Sequence, residues 1–200
     1  MTAEAVSLEM EPPSLPDWIT PPRGGFKAED LDHIPDLPAH TELIDGSLVF
    51  VSPQRDFHTS MLFLLHSELR RAAPADCRVR REMSVILGPE QRPEPDLIVI
   101  PSAVTQLDAT FYYGKDVILA VEVVSPESRA RDRERKPVLY AKAGIPHFWR
   151  VEEAKEKPIV YVYEFDKVTD SYVATGIFRD RLKLTVPFDI DIDLTEIERI

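Results

Sequence analysis

Two carboxylates stand where strand interiors are normally apolar. Glu122 falls inside VILAVEVVS (117–125), and Asp96 opens the apolar run of RPEPDLIVI (92–100). On a strand, Ile118, Ala120, Glu122 and Val124 share one face, and Val117, Leu119, Val121 and Val123 share the other. A carboxylate in such a run loses its water, at a cost of several kcal/mol unless a cation, a metal or hydrogen bonds compensate. A strand end or a salt bridge to an arginine is the alternative. Pro95 suits the start of a strand, where no ladder hydrogen bond is demanded. Two adjacent strands could therefore bring Asp96 and Glu122 together. Like charges at that range cannot both stay ionised without a cation. A hard divalent ion, Mg²⁺ or Mn²⁺, resolves the conflict through oxygen ligands. Glu94 is a competing ligand.

The third piece follows the glutamate strand. Arg129, Asp132, Lys136 and Tyr140 fall at i, i+3, i+7 and i+11 and form one stripe of a helix. An Asp–Lys pair at this spacing is commonly a solvated surface pair, and a tyrosine in line with it commonly covers core. In the active reading Lys136 points back at the carboxylates and offsets negative charge developing on a reacting group. Pro137 removes a helical hydrogen bond, which predicts a kink or a regular helix starting near Asp132.

These residues need elements to hold them. Residues 41–44 and 47–52 flank Asp45-Gly46, a two-residue hairpin signal. Residues 55–73 lack glycine and proline and place His58, Leu62, Leu65 and Leu69 on one face of a long helix. His58 reads either as a site residue or as a core-edge histidine bonded to backbone. Strands are expected at 78–87, 96–100 and 117–124, the last apolar on both faces as in a sheet covered on both sides. A short helix is expected at 27–34 and a charged one at 131–143, ended by Gly144 and Pro146. Residues 148–151, 159–165, 172–178 and 182–186 read as strands. The whole is a mixed α/β domain over 25–200, preceded by a proline-rich arm over 1–24 that carries Trp18.

Composition closes several doors. Acidic residues outnumber basic ones 35 to 24 over 200 residues, a net charge of −11, which disfavours a passive DNA-coating protein. It leaves room for a small basic footprint. The stretch 127–136 holds five basic against three acidic residues. Arg129, Arg131, Arg133 and Arg135, and separately Arg78, Arg80 and Arg81, could track phosphates, or could be solvated faces with the acids among them. With 7 glycines there is no phosphate-cradling glycine loop. The single Cys77 allows no disulfide and no multi-cysteine zinc site, and its plain role is packing. The first residues carry acid and no apolar core, unlike a signal peptide, and the longest apolar run is too short to span a bilayer. A soluble, cytoplasmic protein that does not engage membranes is expected.

The string EVVSPESRARDRERKPVLYAKAGIPHFWRVE (122–152) resembles the signature of the Uma-two family of restriction endonucleases, within the PD-(D/E)XK nuclease superfamily. TELIDGSLV (41–49), the helix beginning near His58 and PEPDLIVI (93–100) occur in the family's order, so the resemblance covers roughly 35–195. It implies a restriction-endonuclease-like core, a mixed sheet flanked by helices, with extra strands toward the C-terminus. Asp96 then matches the motif aspartate and Glu122 the motif glutamate. The superfamily's usual lysine position, two residues on, is here Val124. Lys136, in a D-x-x-x-K-x-x-x-Y arrangement with Asp132 and Tyr140, matches a lysine carried on the following helix. Glu42 matches an early acid that could complete the metal shell, and His58 a histidine opening the long helix.

The leading functional expectation is a hydrolase: a Mg²⁺- or Mn²⁺-dependent endonuclease cutting DNA. Asp96, Glu122 and the Val123 carbonyl would be ligands, Lys136 and Glu42 catalytic, His58, Asp132 and Tyr140 supporting, and Arg129, Arg131 and Arg133 on DNA. The alternative is an inactive nuclease fold that binds nucleic acid or a protein partner. An enzyme acting on a small phosphorylated molecule lacks a glycine-rich loop to support it. A homodimer is expected, as similar nucleases often pair two sites on two DNA strands.

Overall fold

In a computed structural model, residue 16 and residues 19–200 are described. Of the arm over 1–24, residues 1–15 and 17–18, Trp18 among them, lie outside the described residues. The first hairpin is β1 (Glu42–Ile44) and β2 (Ser47–Val49), followed by the long helix α1 (Asp56–Ala72). Next come β3 (Cys77–Arg81), β4 (Ser84–Ile86), β5 (Leu97–Pro101), β6 (Phe111–Tyr113) and β7 (Leu119–Val123). A π-helical turn, Arg131–Arg135, runs straight into α2 (Lys136–Lys142). The rest is β: β8 (His147–Ala154), β9 (Lys157–Asp166), β10 (Ser171–Phe178), β11 (Arg181–Leu184) and β12 (Ile190–Asp193).

The central sheet has six strands in the order β10-β9-β8-β7-β5-β3. Only β7 and β8 are parallel, and a parallel pair needs a crossover, which the π-turn and α2 supply. α1 packs on one face, against β3 and β7. Its buried Met61, Leu62, Leu65 and Leu69 meet Leu97, Val99, Leu119, Val121 and Val123, each leucine contributing about 1.5–3 kcal/mol by leaving water. β11 and β12 extend this core with Leu182, Ile190 and Ile192. The opposite face holds Ile98, Ile100, Ala120 and Phe148 under Tyr140 of α2. The doubly covered apolar strand expected at 117–124 is therefore β7, all five of whose residues are buried.

Several expectations need correction. The helix at 27–34 is only a 3₁₀ turn, Asp30–Asp32. The strand at 78–87 is two strands, because Glu82 takes a positive φ of 49° and the chain leaves β5 to pair β4 with β6. β6 and β12 went unanticipated; both are short. The charged helix is not regular from Arg131. The Lys136 N–H reaches back to the Arg131 carbonyl, an i→i+5 bond. Pro137 then falls in the first turn of α2, where its missing N–H needs no partner, so the proline starts the helix instead of kinking it. The hairpin is as anticipated: Asp45 and Gly46 have φ of 53° and 72°, as a type I′ turn demands.

Candidate active site

The β5–β7 ladder pairs Leu97 with Val121, so one step further Asp96 stands across from Glu122. The two expected carboxylates meet at this end of the sheet, and each is held differently. The Val123 N–H donates to Asp96 Oδ2 at 2.6 Å. His58 Nε2, from the first turn of α1, lies 2.9 Å from Asp96 Oδ1. The carboxylate thus joins the sheet to the helix. Burial works against a charged His58, but the Asp96 carboxylate prevails and raises its pKa above the ordinary imidazole value.

Glu122 lines the same cleft as Asp96 but is held in a buried cluster. Lys136 Nζ donates to Glu122 Oε2 at 3.0 Å, lies 2.8 Å from Glu42 Oε1 and 3.4 Å from Asp132 Oδ1. The Tyr140 hydroxyl donates to Glu122 Oε1. The Glu94 N–H donates to Glu42 Oε1 at 2.9 Å, and Ser128 Oγ donates to Asp132 Oδ2. Glu42, Glu122, Asp132 and Lys136 each expose 4% or less. The i, i+4, i+8 stripe of Asp132, Lys136 and Tyr140 does face inward. Arg129, three residues before it, is exposed instead.

Three carboxylates against one ammonium leave an excess of buried negative charge. Burial opposes the Lys136 charge, yet Glu122, Glu42 and Asp132 together hold its pKa well above the ordinary lysine value. Burial pushes the Glu122 carboxyl well above the usual carboxylate range despite Lys136, and Asp132 and Asp96 push it further. Burial raises Asp132 as well. The cluster therefore favours its ammonium, and Glu122 and Asp132 take up protons more readily than ordinary carboxylates.

A cleft of about 340 Å³ opens onto these groups, lined by His40, Glu42, Glu82, Glu94, Asp96, Glu122 and Lys136 among others. His40, at φ 59°, places Nδ1 2.5 Å from Glu94 Oε1. That bond raises the His40 pKa. No local sequence signal marks this pair, because 54 residues separate its members. The donors are hard oxygens, and Asp132 Oδ1 is buried without a hydrogen-bond partner. Among the described residues, no three His, Cys, Asp or Glu side chains are gathered into a metal-holding group. The carboxylates are instead tied to Lys136, His58 and backbone N–H groups. Among the described residues no helix is long and apolar enough to cross a membrane.

The arginines expected on DNA divide. Arg129 is exposed, and Arg131 lines the cleft while pairing with Glu127 at 3.3 Å. Arg133 turns away: its Nε donates to Glu152 Oε1 of β8 at 3.0 Å. Arg135 likewise clamps Asp45 of the hairpin turn, its Nε donating at 2.7 Å.

Over residues 28–195 the chain matches the family model described as "Uma2: Putative restriction endonuclease". Among solved structures it is similar to one described as a "putative nuclease belonging to DUF820" from Anabaena variabilis. That match has a TM-score of 0.67 and 15% sequence identity, covering 86% of this chain and 97% of that one. At this identity the likeness shows the shared fold. No curated protein matches the chain.

Proposed function

The chain belongs to the Uma2 family, and from that premise we propose that it is a metal-dependent endonuclease hydrolysing phosphodiester bonds in DNA. The observation that supports this most is the excess of carboxylate over cation beside an open cleft, at the adjoining ends of β5 and β7. Asp96, Glu122 and the Val123 carbonyl would hold a divalent cation, Mg²⁺ or Mn²⁺, whose hard-oxygen preference they fit. Such an ion, when bound, acidifies a coordinated water and offsets phosphate charge.

The remaining roles fall to the chain's own groups. His58 orients Asp96 through one carboxylate oxygen while the Val123 N–H holds the other. Lys136 offsets negative charge at the cleft floor, where low dielectric strengthens it. Glu42, anchored by the Glu94 N–H, helps fix the ammonium alongside Asp132 and Glu122. Tyr140 holds the second oxygen of Glu122.

The test is cleavage of plasmid and single-stranded DNA in Mn²⁺ and Mg²⁺, with Glu122→Gln and Asp96→Ala in parallel. Glu122→Gln should lower cleavage by about a hundredfold or more with the fold retained, and cleavage intact in that variant sinks the assignment. One observation favours the second reading, an inactive fold that only binds: Lys136 is already neutralised by three carboxylates. A calorimetric titration with Mn²⁺ separates the two. Heat that disappears in Asp96→Ala supports the nuclease; no heat and no thermal protection support the inactive binder.

A further inference from the structure

We propose that the groove between the C-terminal half of α1 and the outer edge of β3 binds the sugar-phosphate backbone of nucleic acid leading away from the cleft. This rests on the nuclease reading and extends it to a surface outside the site. The groove, of about 680 Å³, presents His66 and Arg70 from α1 and Arg78, Arg80 and Arg81 from β3. Among the described residues, no aspartate or glutamate lines it. In a chain of net charge −11, four guanidinium groups around a groove without acid are a local reversal of sign. Phosphate is the ligand such a reversal fits.

The position matters as much as the charge. β3 is the edge strand of the six-stranded sheet, next to β5, which Asp96 precedes. Arg81 pairs with Leu97 in the ladder, and the Glu82 N–H donates to the Asp96 carbonyl at 3.1 Å. Arg81 lines the groove and Glu82 lines the cleft, so a strand lying along β3 passes from one into the other. Arg81 pairs loosely with Glu82 at 3.3 Å.

The arginines are also set in place by the edge. Arg78 Nη1 donates to the carbonyls of Ala75 and Cys77 at 2.8 and 2.7 Å. Arg80 Nη1 donates to the Val79 carbonyl at 3.0 Å. Each guanidinium has five N–H donors, so donors remain for phosphate after the carbonyl bonds. The same bonds cover an edge otherwise open to strand addition. Burial, and after it the charges of Arg81, Arg70 and Arg80, depress the His66 pKa, as a concentrated positive field should.

The experiment is fluorescence anisotropy of a short labelled DNA duplex, titrated with the full chain at salt concentrations between about 50 and 200 mM. Arg78→Gln/Arg80→Gln should weaken binding and reduce the slope of log affinity against log salt by about 2, roughly one per lost contact. Arg78→Lys/Arg80→Lys, which keeps charge but gives up the carbonyl fork, should retain most of the slope. Arg181→Gln/Lys183→Gln, of equal charge change on β11, should leave the slope unchanged. The proposal falls if the parent chain does not bind. It falls too if the glutamine variant keeps the parent slope, if the lysine variant loses as much as the glutamine variant, or if the β11 control loses the same slope. Binding is read without cleavage. A chain that binds through Arg78 and Arg80 but never cuts overturns the nuclease reading alone, while one that cuts with an unchanged slope overturns the groove alone.

Discussion

At the C-terminal end of β7, three carboxylates and one ammonium are almost wholly withdrawn from water at the edge of the cleft, each at 4% exposure or less. Two strands away, on β3, Arg78 and Arg81 stand exposed and Arg80 half-buried, around a groove that no acid among the described residues lines. The same sheet thus carries two charge clusters of opposite sign under opposite rules. In the buried cluster desolvation dominates, so each group depends on its partners for stability. In the groove water and salt screen the charges, so they contribute little to stability and remain available to a ligand. A net charge of −11 describes neither.

The largest effect that can break this contrast is removal of the buried ammonium. Lys136→Met leaves Glu42, Glu122 and Asp132 without their cation. Urea unfolding should show a loss of roughly 3–5 kcal/mol. A loss below about 1 kcal/mol, the range of an exposed pair, would mean that the cluster is not buried.

Next in size is the pH dependence of stability. Glu122 and Asp132 are raised, so the folded chain binds their protons more tightly than the unfolded chain. Stability therefore falls as pH rises upward from the ordinary glutamate value of 4.5 through the raised folded values. Lys136, raised in its turn, contributes fully below the ordinary lysine value and loses its contribution only at still higher pH. The depressed Asp45 and Asp191 act only at and below the ordinary aspartate range. Melting temperatures at constant ionic strength should decline from mildly acidic to neutral pH, and Glu122→Gln should flatten the decline. An equally steep decline in the variant contradicts the assignment.

The smallest effect sharpens the other side. Arg78→Gln/Arg80→Gln should change unfolding stability by less than about 1 kcal/mol, even while it alters DNA affinity. A larger loss would make the carbonyl bonds of β3, and not ligand contact, the main work of these arginines.

Much of the fold was legible because its signals are local. The span of α1, 17 residues, follows from a stretch (55–73) without a breaker and one apolar stripe, and it differs from the expected helix by one residue at each end. Asp45-Gly46 specified its turn through backbone conformation alone. The break at Glu82 was not legible, since it depends on β4 finding β6 and on the β3–β5 ladder stopping at Arg81 and Leu97, where β5 begins. Within the site, Asp96 and Glu122 announced themselves as charges in apolar runs. Glu94 stood out only as a competing ligand near Asp96, and nothing marked His40 as its partner.

By itself the sequence marked Glu122 in its apolar strand and Asp96 after its proline as groups costly to bury, and it set Lys136 on one stripe with Asp132 and Tyr140 while leaving open whether that stripe faced the carboxylates or water. It determined the hairpin, α1 and most of the strands as well, because period and turn chemistry act between near neighbours. Only the tertiary structure decided the partners. Glu42 meets the Glu94 N–H across 52 residues, His58 meets Asp96 across 38, and Arg135 meets Asp45 across 90. It also turned Arg133 to Glu152 and collected the arginines of β3 beside α1. The physical reason is that desolvation and ion pairing are set by whatever surrounds a group in space. The chain's linear order constrains that surrounding only within a few residues.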